Sequence, residues 1–120
     1  MYNPTLLVIK TGVCTVGSFL TGSLSLRNSK GHFGTGETFV FRLKDEMDAW
    51  KWSEEKQSRF IYADDSSLVV GDGALRIHSD LCNVGSTRSA TFDSPPLFPT
   101  EISPIVVLEV WATTSDIGEI

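Results

Sequence analysis

Short apolar runs alternate along the chain with glycine, proline, aspartate and serine. The clearest run is FVFRL at 39–43, which follows a stretch containing three glycines. Phe39, Phe41 and Leu43 fall on one face of a strand, because strand side chains alternate between faces. Glycine lets the backbone turn with positive φ or pass close to a neighbour. The pattern predicts a central strand that follows a glycine bend and buries its Phe39, Phe41 and Leu43 face.

Further strands are predicted wherever β-branched and apolar residues lie between turn-forming residues. TLLVIK at 5–10 is apolar at four consecutive positions, which predicts a strand covered on both faces. The segment 78–89 is predicted to be irregular, and the prolines within 93–104 exclude a central strand or helix there. The other predicted strands are Val13–Leu20, Asp48–Trp52, Arg59–Tyr62, Leu68–Val70, Ala74–Ile77, Ala90–Phe92 and Ile105–Trp111.

These strands determine the predicted fold class, since no segment sustains the 3.6-residue period of a helix. Short strands at close spacing indicate an antiparallel sandwich or barrel. Our prediction is a mainly β protein, an antiparallel two-sheet β-sandwich. A chain of 120 residues suits one domain, which we place at 1–112, with a C-terminal tail at 113–120.

Composition and the distribution of apolar residues bear on whether the chain is folded, crosses a membrane or carries a signal peptide. Hydrophobic residues make up 41% and charged residues 21% of the chain, which excludes a disordered protein. No apolar run reaches the ~20 residues that cross a bilayer. The first residues lack a cationic stretch followed by an apolar core, so no signal peptide is predicted and the expected location is the cytoplasm.

Charge is distributed unevenly along the chain. Residues 1–60 hold eight Lys/Arg and six Asp/Glu, whereas residues 61–120 hold two Lys/Arg and nine Asp/Glu. Phosphate backbones repel such an acidic half, so nucleic acid is not expected as a partner. A solvated acidic face explains the charge, and a basic protein surface is the partner that it suits.

The reactive side chains allow two enzyme hypotheses, a redox enzyme and a hydrolase. Cys14 and Cys82 lie far apart without a CxxC pattern, which indicates reduced thiols in or near the core, with a redox role as the alternative. Ser66 or Ser67 with His78 and Asp80 contains the residue types of a hydrolytic triad. The G-x-S-x-G elbow is absent, however, and polar loop residues explain these positions better.

The residues that could bind ions or small ligands can also be explained by structural roles. Four acidic residues at 64, 65, 72 and 80 lack EF-hand spacing, and no Cys/His set for zinc is present, so no metal is predicted. The segment 34–37 lacks the Walker lysine and is interpreted as a bend in which Glu37 accepts hydrogen bonds from loop amides. Trp50, Trp52 and Trp111 form either core pairs or an aromatic ligand surface.

The chain also resembles a known family. FGTGETFVF is similar to the signature of the TLDc domain, which occurs in oxidation-resistance proteins. TLLVIKT and VGSFL resemble its opening hairpin, WKW and RFIYADDSSLVVGDGALRI its middle part, and SDLCNVGSTRSATFDSPPL and VVLEVW its closing loop and strand. SLRN at 25–28 and Thr87-Arg88 lean toward the Skywalker-like subfamily, in which a TBC domain precedes TLDc.

The resemblance implies a non-catalytic module rather than an enzyme, with no cofactor. It further implies a protein partner, such as subunits of the vacuolar proton ATPase or vesicle-traffic proteins, through which the module associates with vesicle membranes. Protection from oxidative damage is the implied role. No catalytic residue transfers from the family. The binding residues that we assign from the matched motifs are Gly34, Gly36, Glu37, Ser67, Asp80 and Arg88.

The chain departs from the family pattern at three places. Its glycine run is short, only Gly71-Asp72-Gly73, and Ser86 and Ser89 stand where relatives often have histidine or cysteine. The helical segments that open a TLDc domain are absent, so the sandwich is predicted to be incomplete at its N-terminus. An incomplete sandwich exposes apolar surface. We therefore expect marginal stability or self-association.

Overall fold

A computed structural model describes residues 4–21, 34–53, 59–64 and 66–112, and all structural statements concern these residues. The predicted tail at 113–120 and the SLRN segment lie outside them. The described residues form ten strands and no helix. The strands are β1 Thr5–Lys10, β2 Thr15–Leu20, β3 Phe39–Leu43, β4 Met47–Lys51, β5 Ile61–Ala63, β6 Ser67–Val70, β7 Leu75–His78, β8 Asn83–Gly85, β9 Ile102–Pro104 and β10 Val107–Ala112.

The strands pair into two antiparallel sheets of five, which confirms the predicted mainly β sandwich. The first sheet has the order β10-β1-β2-β3-β4, and the second runs β5 to β9 in sequence order. Turns join most neighbouring strands, as glycine and aspartate at these positions predict. The pairing of β10 with β1 is different, because it joins the two ends of the described chain.

The hydrophobic core lies between the two sheets. Alternate residues of each strand point into it, as the strand period requires. The loop before β9 closes one side with buried Leu97 and Phe98. The largest fully buried apolar side chains are Ile9, Leu20, Ile61, Leu75, Leu97, Val16, Val40, Val70 and Val84.

Strand β3 lies inside the first sheet between β2 and the edge strand β4, and its faces are opposite to the prediction. Val40 is fully buried and packs in the core, whereas Phe39 and Phe41 lie on the outer face. Phe41 is shielded because its ring covers Gly17, with Cζ 2.5 Å from where a Cβ would stand. Leu43 is 44% exposed. The prediction was wrong because both faces of this strand are apolar, so period alone does not identify the inner one.

Strand β1 also has one open face. Leu7 and Ile9 are buried, but Leu6 is 36% exposed, so the predicted cover on both faces is wrong for the described residues. The first sheet thus presents an apolar outer face. The exposed members of this outer face are Leu6, Leu43, Met47, Val107 and Trp111.

Two local predictions also differ from the structure. The predicted strand Ala90–Phe92 is a turn, closed by paired backbone hydrogen bonds between Ser89 and Ser94 of 2.9 and 3.2 Å. The segment predicted to be irregular contains the short strand β8, whose three residues are too few to show a period. β9 ends in Pro104 and lies at the sheet edge, where proline is tolerated.

Candidate functional site

An apolar cleft of about 370 Å³ opens between the two sheets. Leu7 and Ile77, at 2% and 4% exposure, form its floor, one from each sheet. Val110 of β10 and Leu81 of the β7–β8 turn form its rim, at 56% and 53% exposure. The volume lies within the range of ligand-binding pockets.

Leu81 has an unusual backbone for a leucine. Its φ is +60°, in the left-handed region, where its N–H donates to the His78 carbonyl at 2.9 Å. A Cβ costs a residue about 1–2 kcal/mol in this region; glycine avoids the cost, and asparagine offsets part of it through local hydrogen bonds of its side chain. The β7–β8 turn therefore holds an exposed apolar side chain at the cleft rim in a conformation that other residues adopt more easily.

Asp64 supplies a negative charge to the same cleft. Its Oδ1 accepts the N–H groups of Ser66 at 2.8 Å and Ser67 at 2.9 Å. These two bonds hold the pKa of the Asp64 carboxyl below its usual value. The hydrogen bond that Tyr62 donates to Asp64, with the adjacent charge, raises the pKa of that phenol. The carboxylate is therefore ionised throughout the physiological range.

A backbone hydrogen bond joins two turns beside the cleft. The Ser79 N–H donates to the Ser66 carbonyl at 2.8 Å, which fixes the β5–β6 turn against the β7–β8 turn. In the second turn, Asp80 Oδ1 accepts the Cys82 N–H at 3.0 Å, and its side chain is exposed. Two carboxylates, Asp64 and Asp80, thus stand on neighbouring turns at one end of the second sheet.

Strand β10 forms the edge of the first sheet above the cleft. Within the described residues it pairs only with β1, so its other edge offers main-chain donors and acceptors. Val110 faces the cleft, and Trp111, at 61% exposure, lies on the outer face. Glu109 is the only charged residue of the strand. Natural edge strands usually carry more charge or a proline.

Two of the six residues assigned from motifs lie at or beside the cleft. Ser67 lines the cleft, and Asp80 lies on the adjoining turn. Arg88 is elsewhere, in the loop after β8, where Nη2 lies 3.1 Å from Asp93 Oδ1 and both side chains are exposed. The assignment of these residues to binding stays a prediction.

The glycine bend before β3 has a structural explanation. Gly34 has a φ of +98°, and a Cβ there would stand 2.9 Å from Ile61 Cδ1. A Cβ on Gly36 would overlap the Trp52 ring. The backbone therefore passes close to its neighbours, as the glycines predict. Glu37, exposed in the same turn, donates its own N–H to Thr35 Oγ1 at 3.3 Å, and its predicted acceptor role stays a prediction.

The candidate catalytic residues Cys14, Cys82, Ser66 and His78 all lie in the described part of the chain. Cys14 is buried with its thiol 3.9 Å from the Leu97 carbonyl, and Cys82 is exposed with its thiol 3.5 Å from the Asp80 carbonyl. Ser66 and His78 lie on adjacent segments, but no hydrogen bond joins their side chains among the described residues. Among the same residues, no three His, Cys, Asp or Glu side chains are grouped so that they could hold a metal ion.

The three tryptophans do not share a surface. Trp50 of β4 and Trp52, just after the strand, pack against the core, and Trp52 meets Phe60 edge-on with ring centroids 5.2 Å apart. Trp111 lies on β10, at the opposite edge of the first sheet. A ligand surface built from all three tryptophans is therefore wrong, and the core pairing weighed against it is correct for two of them.

Sequence reasoning missed the residues that shape the cleft. Leu81 and Val110 were not singled out, although a signal existed for β10, since VLEVWA is apolar on both strand faces. Asp64 was considered only as a metal ligand. The pairing of β10 with β1 joins residues at opposite ends of the chain, so no local pattern reveals the cleft.

Comparison with known proteins gives a consistent result. The family model of the TLDc domain matches residues 1–114. Human oxidation resistance protein 1 is 37% identical over 113 residues, which cover 91% of this chain and 13% of that protein. Human nuclear receptor coactivator 7 is 36% identical over 115 residues, 92% of this chain and 12% of that protein. The GTPase-activating protein skywalker of Drosophila melanogaster is 33% identical over 130 residues, which cover 92% of this chain and 22% of that protein.

These relatives are much longer than the matched segment. The chain spans 12% to 22% of their lengths. Most of each relative therefore lies outside the comparison. The described residues include no helix with the length and apolar character needed to cross a membrane.

Proposed function

The chain belongs to the TLDc domain family, and from this membership we propose that it is a non-catalytic module that binds other proteins. The observation that carries the proposal is the exposed apolar edge strand β10 beside the apolar cleft. Surfaces of this kind mark interaction sites in soluble proteins. A two-sheet scaffold holds both features rigidly, which favours binding.

The names of the relatives indicate the proposed role. One relative is named for resistance to oxidation, and another is a GTPase-activating protein. We propose that this chain contributes to protection from oxidative damage and to vesicle traffic. Its proposed partners are subunits of the vacuolar proton ATPase or vesicle-traffic proteins, and its proposed place is the cytoplasm, at vesicle membranes through those partners.

A capture experiment tests the proposed partners. The full chain is immobilised and exposed to cytosol and to detergent extracts of vesicles, with an unrelated β-sandwich on the same resin as the control. Enrichment of proton ATPase subunits or vesicle-traffic proteins over the control is the expected result. Recovery of neither class in repeated experiments would refute the partner assignment.

Thiol labelling tests the redox alternative, which the exposure of Cys82 favours. A non-catalytic module predicts that Cys82 reacts at the rate of an ordinary exposed thiol, because activation requires a stabilised thiolate. Cys14, which is buried, reacts much more slowly. The variant Cys82→Ser identifies which thiol is measured. Labelling of Cys82 well above the rate of a small-molecule thiol at neutral pH would favour the enzyme.

A further inference from the structure

We propose that three threonine side chains fasten β2 to β3 and make the stability of the first sheet independent of the chain segment that connects these strands. The threonine cluster consists of Thr21, directly after β2, and of Thr35 and Thr38, which precede β3. Residues 22–33 separate Thr21 from the glycine bend. The inference goes beyond the proposed function, because it gives the FGTGETFVF motif a conformational role that involves no partner.

The first support is the set of hydrogen bonds at Thr21 Oγ1. This oxygen accepts the N–H group of Thr35 at 2.9 Å and the hydroxyl group of Thr35 at 2.8 Å. A threonine oxygen has two acceptor sites and one proton. The proton is therefore donated, and Thr38 Oγ1 at 2.6 Å is a nearer acceptor than the Thr35 carbonyl at 3.4 Å. The Thr21 hydroxyl group thus uses its full hydrogen-bonding capacity.

The second support is the burial of two members of the cluster. Thr21 and Thr38 are both fully buried. The Thr21 N–H also donates to Thr38 Oγ1, at 3.4 Å. A buried hydroxyl group without a partner is destabilising, whereas a paired one in a site of low dielectric forms a stronger bond than in water. The contact between these two threonines therefore contributes to the core rather than to the surface.

The third support is the turn that places Thr35. Gly34 has a φ of +98°, which glycine adopts without a Cβ penalty. The Thr38 N–H donates to the Thr35 carbonyl at 3.0 Å, and the Glu37 N–H donates to Thr35 Oγ1 at 3.3 Å. The turn therefore presents both the main chain and the hydroxyl group of Thr35 to Thr21.

The cluster lies at the end of the β2–β3 ladder. The last pair in the register is Phe19 with Phe39, and Ser18 Oγ donates to the Phe39 carbonyl at 2.7 Å. Thr21 and Thr38 lie just beyond this pair, where the chain leaves the sheet toward residues 22–33. Because both ends of that segment are held, a longer segment adds only loop-closure entropy, which grows slowly with length.

An insertion tests this independence against the alternative that residues 22–33 hold the two strands by contacts of their own. A GSGSGS linker is inserted between Ser29 and Lys30 of the full chain, and urea unfolding measures the ratio of folded to unfolded protein. The ratio is expected to fall only about twofold.

The same linker between Gly12 and Val13 is the control. It interrupts the turn in which the Thr11 N–H donates to the Cys14 carbonyl at 3.0 Å. The ratio of folded to unfolded protein is therefore expected to fall about tenfold or more.

Removal of hydroxyl groups tests the cluster directly. Thr21→Val keeps the shape of the side chain and loses its hydrogen bonds, so the ratio of folded to unfolded protein is expected to fall about tenfold or more. Thr91→Val is the control, since Thr91 is also fully buried but its hydroxyl group donates at 3.5 Å, to the Arg59 carbonyl. Its effect is expected to stay within about threefold. Thr21→Val and Thr38→Val together are expected to have less than their summed effects, because each removes the same 2.6 Å bond.

Hydrogen exchange separates the local role from a general loss of stability. In Thr21→Val the Thr35 amide loses its acceptor, and its exchange is expected to become about tenfold faster. This change is measured relative to the amides of β6 and β7 in the other sheet, which report any loss of stability that the whole protein shares.

Three results would each overturn the inference. The first is an insertion after Ser29 that lowers the folded ratio as much as the insertion after Gly12. The second is a Thr21→Val variant as stable as Thr91→Val, and the third is unchanged relative exchange of the Thr35 amide. None of these measurements involves a binding partner, so they leave the proposed interaction module to the capture experiment.

Discussion

Two buried serines in the loop after β8 differ in what their hydroxyl groups bind. Ser86 Oγ donates to the Ala74 carbonyl at 2.6 Å and accepts the Leu97 N–H at 2.8 Å. Ser94 is equally buried, but its Oγ has no hydrogen-bond partner among the described residues. The pair therefore isolates the effect of hydrogen bonds from that of burial.

Ser86→Ala is expected to lower the free energy of unfolding by about 1–3 kcal/mol, because it leaves the buried Leu97 N–H and Ala74 carbonyl unpaired. Ser94→Ala, the matched control, is expected to be neutral or slightly stabilising. Urea unfolding followed by tryptophan fluorescence measures both. A cost for Ser94→Ala equal to that for Ser86→Ala would contradict the assignment of the two hydroxyl groups.

Gly17 illustrates a position where only glycine fits. A Cβ there would overlap the Leu7 carbonyl and stand 2.5 Å from Phe41 Cζ. Gly17→Ala is expected to destabilise the protein by about 2–3 kcal/mol, because the backbone neighbour cannot move aside cheaply. Gly12→Ala is the control, since a Cβ there meets nothing within 4 Å. The Tm of both variants is measured by thermal unfolding. An equal shift in Tm would refute the close approach of Gly17 to the Leu7 carbonyl and the Phe41 ring.

At the scale of elements, the β5–β6 turn depends on one ionised carboxylate. The pKa of Asp64 is lower in the folded state, so its contribution to stability is present above the unfolded value of about 3.9. It is lost as pH falls through the folded pKa. The pKa of Tyr62 is raised, so its contribution is present below about pH 10 and is lost as pH rises further.

Asp64→Asn is therefore expected to flatten the acid limb of stability against pH and to return the Tyr62 phenol toward its ordinary pKa. Chemical unfolding at a series of pH values measures the first effect, and ultraviolet titration of tyrosine the second. Asp45→Asn, on the exposed β3–β4 turn, is the control. An unchanged acid limb in Asp64→Asn would show that the turn does not use this charge.

The strands also show which features of the fold local sequence patterns predict. Most strands coincide with their predicted segments within two residues, because alternation and turn residues are local signals. The faces of β3 were predicted wrongly, because Phe39 and Phe41 are as apolar as buried Val40. The structure instead places both rings on the outer face, where Phe19 stacks on Phe39 with centroids 5.8 Å apart.

For the whole molecule, the apolar outer face of the first sheet governs solution behaviour. Met47, at 60% exposure, lies at its β4 edge, far from the cleft in the sheet order. Patches of this kind drive association. We expect the chain to self-associate as its concentration rises, and Met47→Lys to reduce this association without loss of stability.

Sedimentation velocity over a range of concentrations measures the effect. Lys51→Arg is the control, because it keeps the charge on the same strand and face. A wild-type monomer at every concentration with a sharp unfolding transition would contradict the expectation. Association that Val110→Lys abolishes but Met47→Lys does not would assign it to the β10 edge instead.

The sequence by itself determined the antiparallel β class, most strands and the TLDc family, because strand alternation, turn residues and the FGTGETFVF motif are readable over a few positions. Only the tertiary structure decided which face of β3 is inside and where the cleft lies. Val110 meets Leu7 from the other end of the chain, and Leu81 reaches the same cleft from a turn. Such contacts depend on the packing of two sheets, which no local pattern encodes.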